Sequence, residues 1–369
     1  MKLVKPYLLA ITTMLTISCS LQKESLSLKD AYKNNFLIGA AIDSNQIREK
    51  NGKVDSLIKR EFNSITAENV MKSMYTHPQK GKYDFALSDQ FVAYGKKNKM
   101  FIHGHTLIWH SQLAPWMEKI ADSTEMKAFM QDHIQTIVSR YNGKIDSWDV
   151  VNEALNEDGT LRQSVFLKTL GEKYLVDAFK LAAKADPKAE LYYNDYNIEE
   201  PAKRAGAIAL IKKIKAEGGK VDGVGIQGHW RLESPSLEEI EKSILEYSAL
   251  GIKVAFTELD ITVLPNPWDL KGADVNQKFE GNPKMNPYPE KLPDSVQNKL
   301  AERYASIFKL FLKHKDKISR VTFWGVDDKQ SWLNDWPIKA RTNYPLLFDT
   351  ELKHKKAYNS VLNLKESKE

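Results

Sequence analysis

The chain has 369 residues, of which 42% are hydrophobic and 28% are charged, a composition typical of a globular protein rather than a disordered or fibrous one. Its formal net charge of +6 comes from Lys and Arg residues that are spread along the sequence with acidic residues between them. This pattern lacks the basic run that marks nucleic-acid binding, so we expect no nucleic-acid partner.

The N-terminal segment has the pattern of an export signal. Residues 1–18 begin with Lys2 and Lys5 and continue with an apolar run that is too short to span a bilayer as a mature helix. The single cysteine, Cys19, follows Thr-Ile-Ser in an arrangement that resembles a bacterial lipoprotein cleavage site. We therefore predict a lipidated Cys19, a short tether over 19–27, and an outer-membrane lipoprotein on the periplasmic or cell-surface face. The alternative is plain secretion with an incidental cysteine.

Short apolar segments alternate with longer helical patterns along the rest of the chain. Eight segments are predicted strands: 36–42, 64–69, 100–109, 145–153, 189–197, 223–230, 253–261 and 319–328. In one amphipathic stretch between them, Ile208, Ile211 and Ile214 are predicted to share one face of a helix. Strands that alternate with helices predict parallel βαβ units. Eight such units predict an α/β protein built as a single (β/α)8 TIM barrel over residues 28–365.

The longest connection, residues 264–295, follows the seventh predicted strand and is rich in Pro, Asn and Gly. An irregular loop of this length is usually either functional or disordered. Because the loop after a barrel strand emerges on the catalytic face, we predict that this one forms a wall of a substrate cleft. Four apolar residues are its predicted anchors: Trp268, Phe279, Met285 and Tyr288.

Polar and aromatic residues cluster where seven of the predicted strands end. In chain order they are Glu68, Asn69 and Lys72; His103, His105, Trp109 and His110; Asn152 and Glu153; Asn194, Asp195 and Asn197; Gln227, His229 and Trp230; Glu258 and Asp260; and Trp324, Asp327 and Asp328. The carboxyl ends of barrel strands converge on one face, where the active site lies. Burying so many polar side chains without a function would carry a repeated desolvation cost, so this face is the predicted active site.

Two carboxylates stand out in these clusters, Glu153 on the fourth predicted strand and Glu258 on the seventh. Glycoside hydrolysis requires two carboxylates that flank a bond. Amide side chains suit sugar hydroxyls, and tryptophan rings suit the apolar faces of sugars. The clusters hold no cysteine nucleophile, and the sequence has no glycine-rich phosphate-binding loop. We therefore predict a glycoside hydrolase in which these two residues form the reacting pair.

Seven segments, in order along the chain, resemble glycoside hydrolase family 10, the (β/α)8 xylanases. They are TAENVMK (66–72), GHTLIWHSQ (104–112), WDVVNEA (148–154), NDYN (194–197), GIQGHW (225–230), FTELDI (256–261) and FWGVDD (323–328). The resemblance covers roughly residues 28–362, and His103 departs from it, since many relatives carry Arg there. It implies double-displacement cleavage of internal β-1,4-xylosidic bonds of xylan, without a metal or other cofactor.

The resemblance also implies a role for each matched residue. Glu153 corresponds to the general acid/base and Glu258 to the nucleophile. Asn152 corresponds to a residue that bonds the sugar 2-hydroxyl, and His229 with Asp260 to a relay behind the nucleophile. The residues that correspond to substrate-binding positions are Glu68, Asn69 and Lys72, which hold the second glycone xylose, His105, Trp109 and Gln227 in the glycone-side wall, and Trp324 and Trp332 in an aromatic lid.

Three other functions stay open. The first is a hydrolase of the same family that prefers other β-1,4-glycans or short arabinoxylan oligosaccharides. The second is a metal-dependent barrel hydrolase, because His103 and His105 lie two residues apart on one strand and point to the same side. The third is a non-catalytic glycan-binding lipoprotein, which predicts a lost carboxylate although both are present. A monomer is the expected oligomeric state.

Overall fold

A computed structural model of the chain describes residues 26–48 and 52–366. The predicted signal segment, Cys19 and most of the predicted tether lie outside these residues. No helix in the described ranges is long and apolar enough to cross a membrane.

The described residues form ten strands and twelve α-helices. The strands are β1 (Leu37–Ile42), β2 (Ser64–Ala67), β3 (Phe101–Gly104), β4 (Ile108–Trp109), β5 (Ser147–Asn152), β6 (Glu190–Asp195), β7 (Gly223–Ile226), β8 (His229–Arg231), β9 (Lys253–Thr262) and β10 (Ile318–Phe323). The helices are α1 (Leu28–Ala31), α2 (Ser44–Arg48), α3 (Lys53–Glu61), α4 (Ser73–Thr76), α5 (Ala86–Lys97), α6 (Ser123–Arg140), α7 (Val165–Leu170), α8 (Lys173–Ala185), α9 (Pro201–Ala216), α10 (Leu237–Ser248), α11 (Asp294–Lys313) and α12 (Lys356–Glu366). Three short 3-10 turns span Pro283–Met285, Asp328–Gln330 and Trp332–Asn334.

Eight of the strands close into a parallel barrel. The order around the barrel is β1, β2, β3, β5, β6, β7, β9 and β10, and β10 pairs with β1 to complete the ring. The single (β/α)8 barrel predicted from the sequence is therefore confirmed. Because all eight strands are parallel, their carboxyl ends open on the same face.

Two predicted strands are each divided in the structure. The segment 100–109 forms β3 and then the two-residue β4, which pairs with β5. The segment 223–230 forms β7 and then β8, which extends the barrel beside β9. Gly228, with φ +81°, turns the backbone between β7 and β8, a conformation that glycine adopts at little cost. The turn brings His229 into register with Asp260 on β9.

Helix α9 turns its three predicted isoleucines toward the hydrophobic core. Ile211 and Ile214 are buried, and Ile208 is half-buried and packs against the core. Ala207 and Leu210 complete the buried face. Ile208 lies at the edge of this face because positions spaced at three residues drift around a helix with 3.6 residues per turn.

The 264–295 loop is irregular apart from one 3-10 turn and the start of α11 at Asp294, and its predicted anchors behave differently from one another. Tyr288 packs against the hydrophobic core, whereas Phe279 and Met285 are half-buried. Trp268 is 95% exposed, so its predicted anchoring role is wrong. A backbone hydrogen bond of 3.0 Å from the Phe279 N–H to the Pro337 carbonyl helps to hold the loop against the barrel face.

Candidate active site

A cavity at the carboxyl ends of the barrel strands brings most of the predicted site residues together. It is lined by Glu68, Asn69, Lys72, His105, Trp109, Gln112, Glu153, Gln227, His229, Glu258, Ala273, Val275, Trp324 and Trp332. Asn152 and Asp260, also predicted, lie behind the wall and contact residues that line it. Ala273 and Val275 belong to the 264–295 loop, which therefore forms part of the cavity wall, as the sequence predicts.

Glu153 follows β5 directly, and its backbone adopts a left-handed conformation with φ +57°. Its N–H donates to the Asn194 carbonyl at 2.9 Å. The carboxyl group accepts three hydrogen bonds, from Trp109 Nε1 at 2.8 Å, Gln227 Nε2 at 3.0 Å and Asn152 Nδ2 at 3.1 Å. Only 5% of the residue is exposed, so its orientation is set almost wholly by these neighbours.

The electrostatic surroundings of Glu153 favour its protonated form. Burial raises the pKa of the carboxyl group, and the nearby charge of Glu258 raises it further. The hydrogen bonds from Gln227 and Trp109 and the charge of Arg162 lower the pKa, but they do not offset burial. The net effect is a pKa of Glu153 above its ordinary value, which suits a proton donor.

Glu258 lies in β9 and has the opposite electrostatic surroundings. Its Oε1 accepts a hydrogen bond from Asn194 Nδ2 at 2.8 Å, and its Oε2 lies 3.2 Å from His229 Nε2. Burial raises the pKa of Glu258, but the hydrogen bond from His229 and the charges of His105 and His229 outweigh it. The pKa of Glu258 is thereby held below its ordinary value, so the residue is ionised where Glu153 is protonated.

His229 connects Glu258 to Asp260. Its Nδ1 lies 3.0 Å from Asp260 Oδ1, and the other ring nitrogen faces Glu258. Burial lowers the pKa of His229, but the two carboxylates raise it to about 10. The protonated ring can then donate from both nitrogens. Asp260 also accepts a hydrogen bond of 2.8 Å from Trp332 Nε1, which fixes the tryptophan beside the cavity.

A polar cluster follows β2 at another part of the cavity wall. Lys72 Nζ donates to Asn69 Oδ1 at 2.9 Å, and Asn69 Nδ2 donates to Glu68 Oε1 at 3.2 Å. Burial raises the pKa of Glu68 to about 6, although the charge of Lys72 acts against it. Lys72 Nζ also lies 5.1 Å from the centroid of the Trp109 ring. This arrangement offers hydrogen-bonding groups of both kinds next to an aromatic face, as sugar hydroxyls and rings require.

The two histidines at the end of β3 approach one carboxylate. His103 Nε2 and His105 Nδ1 each lie 2.9 Å from Asp149 Oδ2. Burial raises the pKa of Asp149, but both imidazoles act against it and hold the pKa well below its ordinary value. Among the described residues, no group of three or more His, Cys, Asp or Glu side chains is placed to hold a metal ion.

Two residues that shape the site were given no role from the sequence, Asn194 and Arg162, although Asn194 stands in one of the polar clusters. Asn194 Nδ2 donates to Asn152 Oδ1 at 2.9 Å as well as to Glu258, so it bridges β5 and β9. The strand order of the barrel could have identified Asn194, because Asn194 is the register partner of Asn152 on the adjacent strand. Arg162 lies in the connection after β5 and contacts the backbone of Glu153.

Comparison with known proteins supports the resemblance seen in the seven segments. Residues 27–364 match the model for glycosyl hydrolase family 10. The chain belongs to this family. The predicted family and the predicted enzyme class, a glycoside hydrolase, are confirmed.

Two relatives of this family 10 chain match along nearly their whole length. Endo-1,4-beta-xylanase A of Xylanibacter ruminicola is 43% identical over 345 residues, which are 92% of this chain and 94% of that one. Beta-1,4-xylanase of Dictyoglomus thermophilum is 38% identical and covers 96% and 97% of the two chains. Among solved structures, a GH10 endoxylanase from a sugarcane soil metagenome is 46% identical, with a TM-score of 0.89 over 92% of this chain and 100% of that one.

Proposed function

We propose that this family 10 enzyme is an endo-acting, retaining β-1,4-xylanase, with Glu258 as nucleophile and Glu153 as general acid and then general base. The observation that carries the proposal is the contrast between the two carboxyl groups on one cavity, since the pKa of Glu153 is raised and that of Glu258 is lowered. Two carboxyls with separated pKa values are what the retaining mechanism needs. The xylanase names of the relatives support the substrate.

The first step forms a glycosyl-enzyme. Glu258 attacks the anomeric carbon while protonated Glu153 gives its proton to the leaving oxygen, and the bond between carbon and leaving oxygen breaks. His229 and Asn194 hold the two oxygens of Glu258 before the reaction, so the nucleophile needs little reorganisation. This is catalysis by positioning as much as by charge.

The second step releases the sugar with retained configuration. Once Glu258 is esterified its negative charge is gone, and that charge is one of the causes that raise the pKa of Glu153. The pKa of Glu153 therefore falls, and its carboxylate takes a proton from water as the water attacks the anomeric carbon. The bond from the anomeric carbon to Glu258 breaks in the same step, so Glu258 is again a carboxylate and Glu153 is again protonated.

The substrate-binding residues divide into polar and aromatic sets, as the family resemblance implies. We assign Glu68, Asn69 and Lys72 to the second glycone xylose, because their hydrogen-bonding groups form one connected cluster. The aromatic set packs closely, since the ring centroids of His229 and Trp332 are 4.9 Å apart and those of His105 and Trp324 are 5.3 Å apart. His105, Trp109 and Gln227 complete the assigned glycone wall. Asn152, which contacts Gln227 from behind this wall, is assigned to the sugar 2-hydroxyl.

A preference for xylose over glucose follows from the same packing. The two sugars differ by a hydroxymethyl group, and we propose that this group would clash with Gln227, Trp324 or Trp332. Initial rates on xylan and on cellulose measure the preference. A rate on cellulose equal to or above that on xylan would favour the related reading of an enzyme for other β-1,4-glycans.

The experiment that tests the proposed function is mass analysis of the products released from glucuronoarabinoxylan. The wild-type enzyme is expected to release a mixture of short oligomers from the start of the reaction, as an endo-acting enzyme does. Glu258→Ala is expected to release none, whereas Glu302→Ala, on the exposed outer side of α11, is expected to behave as wild type. Unchanged products from Glu258→Ala would remove the nucleophile assignment.

We also propose that the chain is exported and anchored through lipidated Cys19, with residues 28–365 as a monomeric catalytic domain. The support is the sequence pattern of residues 1–19, a charged start and an apolar run before the cysteine. Labelling of cells with a palmitate analogue tests the anchor, with Cys19→Ser as the control. A labelled membrane-bound protein that Cys19→Ser releases supports it, and an unlabelled wild-type protein in the medium would establish plain secretion instead.

A further inference from the structure

Arg162, which was not a predicted site residue, makes contacts that converge on the backbone of Glu153. Its Nε donates to the Glu153 carbonyl oxygen at 3.1 Å, and its Nη2 donates to the Leu155 carbonyl oxygen at 3.1 Å. Nη2 also donates to the Tyr196 hydroxyl at 2.6 Å, and Nη1 donates to Asp274 Oδ2 at 3.3 Å. One guanidinium group therefore holds the turn that carries Glu153 and ties this turn to two other segments of the barrel face.

The backbone of Glu153 needs such support. A left-handed φ of +57° is uncommon for a residue with a Cβ atom. A conformation of this kind costs about 1–3 kcal/mol and persists only where the surrounding structure over-determines it. The N–H of Glu153 is held by the Asn194 carbonyl, and its C=O is held by Arg162. Removing the arginine would leave the carbonyl side of this strained residue without its charged donor.

Asp274 extends the connection to the 264–295 loop. One carboxylate oxygen, Oδ2, faces Arg162, while Oδ1 accepts hydrogen bonds from the backbone and side-chain nitrogens of Asn276 at 2.9 and 3.0 Å. The Arg162 and Asp274 side chains are 16% and 24% exposed, so water screens their pairing only in part. Ala273, the preceding residue, lines the catalytic cavity. The ion pair between Arg162 and Asp274 thus connects the loop wall of the cavity to the turn that carries Glu153.

We propose that Arg162 is a positioning residue for the acid/base. Arg162 holds the backbone of Glu153 so that the Glu153 carboxyl reaches the leaving oxygen. Through Asp274, it also makes the position of Glu153 depend on the 264–295 loop. Arg162 does not line the catalytic cavity, so it acts through Glu153. The inference rests on the proposed role of Glu153 as proton donor. Proton delivery by Glu153 then depends on a residue outside the cavity.

The test compares kcat/KM on two aryl β-xylobiosides, a phenyl and a dinitrophenyl glycoside. A phenol of high pKa needs a proton to leave, whereas dinitrophenolate leaves without one, so only the first reports on the acid. For Arg162→Met we expect a fall of about 10²-fold on the phenyl glycoside, the order of loss that a misplaced catalytic group causes. On the dinitrophenyl glycoside we expect a change of about threefold or less, because nucleophilic attack by Glu258 is retained.

Three further variants make the outcome decisive. Glu153→Gln should show the same dependence on leaving group, and if it does not, the proposed function itself fails. Asp274→Asn removes only the negative charge of the residue that pairs with Arg162. It should show a smaller loss of kcat/KM on the phenyl glycoside than Arg162→Met. Arg140→Met removes an arginine that pairs with Asp89 on an exposed surface and should show no such dependence.

Unfolding temperatures establish that each variant is folded. If Arg162→Met does not fold, Arg162→Lys takes its place, because lysine keeps the positive charge but lacks the planar guanidinium group. Equal losses on both glycosides would show that the arginine has a general structural role. Unchanged activity on both would show that it has no role in catalysis. If Glu153→Gln shows the leaving-group dependence and the arginine variant gives either of these results, the inference is overturned while the proposed function stands.

Discussion

Asn194 Nδ2 donates to Glu258 Oε1 at 2.8 Å, a hydrogen bond that joins the proposed nucleophile to the neighbouring part of the barrel. Both residues are buried, and a hydrogen bond to a charged group contributes about 1.5–3 kcal/mol. For Asn194→Ala we therefore expect kcat/KM on xylan to fall by about 10- to 100-fold. Steady-state kinetics check this, and a fall of less than about twofold would show that the bond does not hold the nucleophile in its reactive position.

Gly225→Ala is expected to displace the Asn194 side chain, although position 225 does not line the cavity. A Cβ atom at this position would lie 2.2 Å from Asn194 Oδ1 and 2.8 Å from Thr257 Cγ2, well inside van der Waals contact. The Asn194 side chain must shift, and its bond to Glu258 is lost. We expect kcat/KM on xylan to fall by about the amount expected for Asn194→Ala, and additive losses in the double variant would contradict this shared cause.

The activity of the enzyme should depend on pH with a bell shape. The acidic limb of kcat/KM reports ionisation of Glu258, whose pKa is lowered, and the basic limb reports deprotonation of Glu153, whose pKa is raised. Glu153→Gln cannot lose a proton, so the basic limb should disappear while the acidic limb stays. A basic limb that persists unchanged in Glu153→Gln would assign the proton donor to another group.

His229 should also make the folded state sensitive to high pH. Its pKa is raised from an unfolded value of 6.5 to about 10, so the stability it contributes is fully present below pH 6.5 and is lost as pH rises toward 10. The unfolding temperature of the wild type should therefore fall more between pH 6.5 and 10 than that of His229→Gln. Parallel curves for the two proteins would show that the charged imidazole does not stabilise the fold.

The substitution Trp332→Phe distinguishes the contribution of the aromatic ring from that of the indole hydrogen bond. The indole N–H donates to Asp260 Oδ2 at 2.8 Å, and phenylalanine keeps an aromatic face but cannot donate. We expect kcat/KM on xylan to fall by about tenfold in Trp332→Phe, and further in Trp332→Ala, which also loses the aromatic face. Equal kinetics for Trp332→Phe and the wild type would show that the bond to Asp260 does not position the ring.

The barrel could be predicted from the sequence because each strand is a short apolar segment with polar residues at its end. Glu153 and Glu258, the proposed reacting pair, could be picked out from the same polar clusters, and the structure places both on one cavity. Arg162 could not, because its contacts depend on how the connection after β5 folds back onto Glu153. Trp268 shows the reverse error, since its apolar character predicts burial but the local loop geometry leaves it exposed.

The divided strands have a similar explanation. The apolar pattern of 223–230 is continuous, but Gly228 turns the backbone and separates β7 from β8. The turn matters for function, because it places His229 opposite Asp260 and within reach of Glu258. The geometry of a single glycine thus decides a contact that the hydrophobic pattern does not encode.

The central claim is that Glu258 forms the covalent glycosyl-enzyme. A fluorinated xylobioside with an activated leaving group forms this intermediate but hydrolyses it slowly, and peptide mass mapping then locates the attached sugar. We expect one sugar adduct per chain, on the peptide that contains Glu258, and none in Glu258→Ala. An adduct on any other carboxylate, or an anomerically inverted product without an adduct, would contradict it.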